Sequence, residues 1–240
     1  MASNVLSLVA RFRRKIQDTG GDTGAPPSGY TYYWEYDDGD CFIANEALVE
    51  MLNEAQTELC RRFPIRDSSS YLSRINVRAG QDVYALDPLI LAVERAYLAT
   101  TDRVLAKTFA QRIDEEDARL TLDGEVRYYR EDLAERYLTL IGTPTVDETL
   151  ELSIARLPLE PLVWGGSLSE LEIPEYYVED LLLYGQYLAY SNRDFDLFDA
   201  EAANVASDRF RSRIGDPRTP RDLNVANHVA NARLRVRSHY

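Results

Sequence analysis

The chain has 240 residues, with 27 Lys+Arg against 40 Asp+Glu, a net charge of −13 and 45% apolar content. That length suits one large domain or two small ones around an ordinary core. No apolar run reaches the 18 residues that would mark a membrane-spanning helix, and so acidic a body is poorly suited to gripping a nucleic-acid backbone.

The charge is unevenly placed. Residues 1–208 carry a net of −19, whereas residues 209–240 carry eight Arg against Asp216 and Asp222, a net of +6. Of the basic residues only Lys15 and Lys107 are lysines. The N-terminal charges follow a short apolar patch, the reverse of a secretory signal. Cys41 and Cys60 are expected as two thiols of a reducing compartment, since two cysteines make no disulfide framework.

In chain order, Ser3 opens a helix predicted over 3–17, with Val5, Leu8, Val9, Phe12 and Ile16 at helical spacing. Residues 18–29 are a loop by composition, followed by an aromatic-dense stretch that contains Tyr32, Tyr33, Trp34 and Tyr36. A second helix is predicted over 45–63, striped by Leu48, Leu52, Ala55 and Leu59 and stopped by Pro64. The period then changes. A β-rich insertion is expected over 71–157, opening with two strands, Tyr71–Val77 and Val83–Leu86, around a turn at 78–81. A hairpin turn is expected at Thr100–Asp102, a short acidic helix over 109–120, and further strands at 125–129, 136–141 and 149–157, the last two joined by a turn at 142–144. Helical spacing returns over 174–191 and 195–214, the latter with Phe198, Ala202, Val205, Ala206, Phe210 and Ile214 inward. Residues 216–240, with two prolines and five arginines after Pro217, read as an extended C-terminal arm without a core. The expected class is therefore α+β and mainly helical: an antiparallel helix bundle from both chain ends, a central β-rich insertion, and the arm.

Catalytic signatures are scarce. His228 and His239 both lie in the arm, and there is no GxSxG, P-loop or HExxH. Asp114–Asp117 are four consecutive carboxylates, which point about 100° apart on a helix and cannot converge on one ion. No metal site and no cofactor is expected. Glu175 and Glu179 fall one turn apart, repelling mildly while suiting a helix N-terminus. The aromatics Tyr32, Tyr33, Trp34 and Tyr36 sit among acids rather than bases, which favours subunit contact over base stacking. Arg233, Arg235 and Arg237 alternate, so an extended arm would present them on one face.

Several segments, taken together and in order, resemble the head-to-tail adaptor (connector) proteins of tailed bacteriophages. They are VLSLVARFRRKIQD, a YYW, an LNEAQ helix ending in Pro64, INVRAGQDVYALDP, RYLTLIGTPTVDETLELSIARLPLEPL, and the closing helix pair from Glu172 to Gly215. The resemblance covers most of residues 5–215; a long 18–29 loop and the basic arm depart from it. It implies a structural virion protein, not an enzyme, forming a ring, a dodecamer, beneath the portal protein in the virion neck. Such a ring extends the DNA channel, lets DNA pass without specific binding, attaches tail or neck proteins, and assembles in the host cytoplasm away from any membrane. On that reading Arg218, Arg221, Arg233, Arg235, Arg237 and Tyr240 are the portal-binding residues. Two other readings stand beside it: a cell-wall-cleaving hydrolase using paired carboxylates, and a DNA-binding packaging factor using the arm.

Overall fold

The computed structural model describes residues 5–18, 42–108, 125–164 and 171–216. These divide into two compact units, one of residues 5–18, 42–63, 158–164 and 171–216, the other of residues 64–108 and 125–157.

The first unit is helical. Helix α1 (Val5–Ile16) buries Val5, Leu8, Val9, Phe12 and Ile16, the stripe that its spacing dictates. Helix α2 (Asn45–Arg62) buries Leu48, Leu52, Ala55 and Leu59. It ends because Pro64 forces Phe63 out of the helical region, to φ −127° and ψ 79°; the Phe63 N–H still donates to the Leu59 carbonyl at 2.8 Å. Helix α3 (Val178–Ser191) follows Pro174 and a 3-10 turn over Glu175–Tyr177. Helix α4 (Ala200–Ile214) starts later than the expected 195, because Asp199 caps it: its carboxylate accepts from the Glu201 and Ala202 N–H groups at 2.9 and 3.0 Å. Its inward face is Ala203, Ala206, Phe210 and Ile214. The expected Phe198 and Val205 are instead exposed, 44% each. An alanine-rich helix has little apolar contrast from which to read its rotation. It ends at Gly215, whose φ of +81° is a left-handed conformation that glycine adopts without strain.

α3 packs against α1 at a glycine. A Cβ on Gly185 would stand 2.9 and 3.0 Å from ring atoms of Phe12, which is fully buried. Gly185→Ala is therefore expected to lower stability by about 1–2 kcal/mol, as overpacking outweighs the helix-propensity gain. A shift of the urea midpoint at constant m-value measures it. Phe12→Leu, costly alone, should be less so on the Gly185→Ala background, because the smaller side chain makes room for the methyl.

The second unit is an eight-stranded, curled mixed sheet. Its strands are β1 (Ile65–Asp67), β2 (Arg74–Val77), β3 (Val83–Ala85), β4 (Ile90–Leu98), β5 (Arg103–Lys107), β6 (Tyr128–Asp132), β7 (Tyr137–Ile141) and β8 (Glu148–Arg156). The order is β1-β8-β4-β5-β6-β7-β3, with β2 also paired to β8. The nine-residue strands β4 and β8 form the spine, burying Ile90, Ala92, Val93, Ala96 and Leu98 against Leu150, Leu152 and Ile154. Tyr129, Leu138 and Leu140 extend the core. Every pair is antiparallel except β5–β6.

This corrects the expected class. The protein is not a mainly helical bundle carrying a β projection: among the described residues, an eight-stranded sheet with its own core stands beside four helices. Two local expectations also change. Tyr71–Ser73 is a 3-10 turn, and β2 and β3 do not form a hairpin; β2 pairs with β8 and β3 with β7. The turn at 78–81 is real, with Gln81 N–H donating to the Arg78 carbonyl at 3.1 Å. It is held by the Tyr84 hydroxyl, which accepts from Arg78 N–H at 3.1 Å and donates to the Gln81 carbonyl at 2.7 Å. It also braces on the 142–147 connection through Gly80 N–H to the Pro144 carbonyl at 2.9 Å and Ala79 N–H to Asp147 at 2.7 Å. That connection is a crossover, since β7 and β8 are not neighbours. At its start Gly142 (φ +103°) passes so close to Glu125 that a Cβ would lie 2.7 Å from the Glu125 carbonyl oxygen. The expected helix over 109–120 lies outside the described residues.

Candidate interaction surfaces

The strongest polar construction in the helical unit lies at the C-terminal end of α1. Arg13 falls on the apolar stripe and is 1% exposed. Its Nη1 donates to Asp18 Oδ2 at 2.6 Å, its Nη2 to the Ile43 carbonyl and to Asn45 Oδ1 at 2.8 Å each, and its Nε to Asn45 Oδ1 at 3.2 Å. Asp18, fully buried, also accepts from Phe42 N–H at 2.8 Å and Ile43 N–H at 3.2 Å. The chain reaches Asp18 through Gln17 at φ 60°, and Asp18 N–H donates back to the Arg13 carbonyl at 3.0 Å. A guanidinium fork thus ties residue 18 to residues 42–45 and holds together the two ends between which residues 19–41 run.

The acids at the start of α3 are paired rather than merely tolerated by the dipole. Arg11 donates to Glu175 and to Glu179 at 3.0 Å each, and Lys15 lies 2.8 Å from Glu179. Lys15, against the opposing cost of burial and helped by Arg11, holds the Glu179 carboxyl below its usual range. Arg213 of α4 pairs with the buried Asp180. Arg209 and Arg211 are exposed, with no ion pair among the described residues.

On α2, Glu46, Glu50, Glu54 and Glu58 recur at four-residue spacing on one face. Glu58 is taken by Arg62 at 2.8 Å and Arg61 at 3.4 Å. The exposed Glu46, Glu50 and Glu54 have no cationic partner among the described residues. The same face borders an open groove of about 370 Å³ lined by Asn53, Glu54, Thr57, Glu58, Arg61 and Tyr184. Phe63, Tyr177 and the 71%-exposed Tyr176 meet in turn as tilted rings, with centroids 5.1 and 4.3 Å apart.

In the sheet, β4 carries a bulge between Val93 and Arg95. β5 pairs with β4 only at Ala96–Leu98, so the ladder leaves the Val93 amide unserved on that side. Side chains take over. Glu131 Oε2 accepts from Val93 N–H at 2.8 Å, Lys107 Nζ donates to the Val93 carbonyl at 3.1 Å, and the Tyr129 hydroxyl donates to the same carbonyl at 3.3 Å. Lys107 and Glu131 pair with each other, 12% and 2% exposed. Burial, reinforced by Glu131 and Glu94, pushes the Tyr129 hydroxyl pKa well up. A second buried pair, Arg156–Asp67 at 2.6 Å, joins β8 to β1. Burial alone would raise the Asp67 carboxyl; hydrogen bonds from Ser70, Ser69 and Arg156 override it and hold the group well below the usual carboxylate range. Val83 and Tyr137 are exposed on the β3–β7 face.

The residues singled out from sequence fall elsewhere. Tyr32, Tyr33, Trp34 and Tyr36, and Arg218, Arg221, Arg233, Arg235, Arg237 and Tyr240, all lie outside the described residues, as do Asp114–Asp117. Sequence reasoning missed the Arg13 and Lys107 networks. The available signal for the first was an arginine on an apolar helical stripe; for the second, it was one of only two lysines in the chain. Among the described residues no cluster of three or more His, Cys, Asp or Glu is placed to hold a metal ion, and no helix is long and apolar enough to cross a membrane. Among the described residues, the carboxyl groups of Asp67, Glu125 and Glu179 are held below their usual range by the donors around them.

No curated protein matches the chain significantly. A family model does, that of the SU10 adaptor protein, and its match runs over residues 3–237 and so through most of the basic arm that looked like a departure from the pattern. With nearly the whole chain covered, this protein belongs to the SU10 adaptor protein family, a family of bacteriophage head-to-tail adaptors.

Proposed function

We propose that the chain acts as a structural ring subunit beneath the portal, extending the DNA channel and offering the tail its attachment surface. Membership of a phage adaptor family makes it a virion component that engages other head and tail proteins. The family match over residues 3–237 carries the reading. The charge distribution supports it: an acidic body whose Glu46, Glu50 and Glu54 have no cationic partner among the described residues repels phosphates, so that DNA slides past without a sticking point. The finer proposal is a dodecameric ring in the neck, non-enzymatic and assembled in the host cytoplasm. The arginine arm reaches the portal, and Tyr32, Tyr33, Trp34 and Tyr36 contribute to subunit contact. Arginine suits that task because its fork bonds carboxylates bidentately and a ring repeats each contact.

Co-assembly with the portal protein of the same genome tests this. The full chain is expected to bind the portal ring. A chain ending at Asp216 should keep its melting temperature, because every core residue described precedes that point, and bind the portal at least ten times more weakly, about 1.4 kcal/mol. Failure of the full chain to bind overturns the proposal; full binding by the shortened chain moves the interface off the arm.

A further inference from the structure

An open sheet ends in two edges, and in this curled sheet two edge strands meet. β3 ends the order on one side, while β1 and β2 share the far flank of β8 on the other. On β3, Leu86 N–H donates to the Arg136 carbonyl at 2.8 Å, and the Asp82 carbonyl accepts from Leu140 N–H at 2.7 Å. The even residues therefore bond to β7, and Val83 and Ala85 turn their backbone groups away from it. On β8, the Thr149 carbonyl accepts from Ala99 N–H at 2.9 Å on the β4 side, so Glu148 and Leu150 serve β2 through Val77 and Ile75. Arg74, Asn76 and Arg78 then turn their backbone groups off the open edge of β2. There the Arg78 N–H meets the Tyr84 hydroxyl of β3 at 3.1 Å. The open edges of β2 and β3 thus face one another across a seam that begins at the 78–81 turn.

The two walls match. The residues that face the seam are also the exposed ones, Arg74 and Asn76 on β2 and Val83 and Ala85 on β3, whereas Val77 and Tyr84 are buried. Antiparallel pairing needs that parity on both strands. Counted outward from the turn, Asn76 stands opposite Val83 and Arg74 opposite Ala85. Arg74, which has no ion pair among the described residues, then falls diagonal to Asp87. The backbone N–H and C=O of Asn76 and of Ala85 have no partner among the described residues. Local groups serve two of the others: Gln81 Nε2 donates to the Val83 carbonyl at 2.9 Å, and Arg74 N–H donates to the Tyr71 carbonyl. Each occupies a group that the missing ladder would use.

We propose that this seam is a zipper: β2 and β3 close onto one another from the turn, Asn76 exchanging bonds with Val83 and Arg74 with Ala85, and reopen by the same route. Closure moves the Val83 carbonyl from Gln81 to Asn76 N–H and the Arg74 N–H from Tyr71 to the Ala85 carbonyl. Closed, the sheet hides both edges from strand addition. Open, Asn76 and Ala85 offer N–H and C=O to an incoming extended segment. The zipper belongs to the single chain and stands whether or not a ring forms.

Amide hydrogen exchange of the full chain, resolved by residue with NMR, tests it. In the closed seam Val83 and Ala85 N–H gain the Asn76 and Arg74 carbonyls. Both should exchange roughly ten- to a hundredfold more slowly in the parent than in Asn76→Pro, the scale of two ordinary backbone bonds. Proline costs no bond to β8, because the Asn76 N–H faces the seam, but its ring blocks the approach of β3. Gln81→Ala frees the Val83 carbonyl and should slow both amides about threefold further. Leu138 and Leu140 N–H, on the β7 side, should not change and report that the variants are folded. Should Asn76→Pro not fold, Arg74→Cys with Ala85→Cys decides: opposed residues of a bonded antiparallel pair lie roughly 5.5 Å apart at Cα, within disulfide reach. Mild oxidation of dilute protein should then link 74 to 85 within one chain. Equal exchange in parent and Asn76→Pro, or no 74–85 link, overturns the proposal. Protection or linkage that grows with protein concentration also overturns it, by assigning the edge to a second copy.

Discussion

Arg13→Met is expected to lower the stability of the protein by about 3–5 kcal/mol, the cost of leaving a buried charge without its partner. Asp18 would remain fully buried with two backbone N–H donors and no cation. Asn45 Oδ1 and the Ile43 carbonyl would lose their bonds from Arg13 too. Arg13→Lys keeps the charge but loses the fork: one ammonium cannot reproduce four bonds spread over Asp18, Ile43 and Asn45. It should cost roughly half as much. Adding Asp18→Asn to Arg13→Met removes the orphaned charge and should recover about 1–3 kcal/mol, because a neutral amide is cheaper to bury than a carboxylate. Chemical denaturation of the four proteins measures all of this. If Arg13→Met costs under about 1 kcal/mol, the range of an exposed pair, then the cluster is not the closed construction described.

This cluster also shows what a single sequence conceals. Arg13 lies on the stripe Val5–Val9–Phe12–Ile16, but a charged side chain on a helix reads as solvated unless its partners are known. Those partners, Asp18 and Asn45, come from a loop end and from the next helix. Local chemistry was readable where one or two residues decide the outcome: Pro64 ending α2, and Thr100–Asp102 turning β4 into β5. Strand partners were not, because pairing is non-local. β2 and β3 are neighbours in sequence around a good turn, yet each finds a longer strand, β8 or β7, offering more ladder and more burial. The class followed from that error. Short β segments read singly look like an appendage to helices, whereas β4 and β8, joined along nearly their full length, make a core in their own right. The adaptor family was legible by a different route, through the order of whole segments rather than any one residue. The groove on α2 was not, since it needs Tyr184 of α3 to line the same space as Asn53, Glu54 and Thr57 of α2.

The sheet yields the second large effect. Lys107→Met is expected to cost about 3–5 kcal/mol, because Glu131, 2% exposed, keeps its charge and loses its ammonium. The remaining contact, from Val93 N–H at 2.8 Å, is one neutral donor for a carboxylate. The choice of rescue separates charge burial from backbone satisfaction. Adding Glu131→Gln removes the charge while keeping an acceptor for Val93 N–H, and should return most of the loss. Adding Glu131→Met also removes the charge but strands that N–H at the bulge, so it should recover less, by the roughly 1–3 kcal/mol of an unmet buried donor. The Val93 carbonyl retains the Tyr129 hydroxyl in every variant, so it does not distinguish them. Equal recovery by Gln and Met would mean that the bulge amide is satisfied some other way, and that the pair serves β4, β5 and β6 through its charge alone. Gln must rank above Met if Lys107 and Glu131 substitute for the ladder that the bulge interrupts.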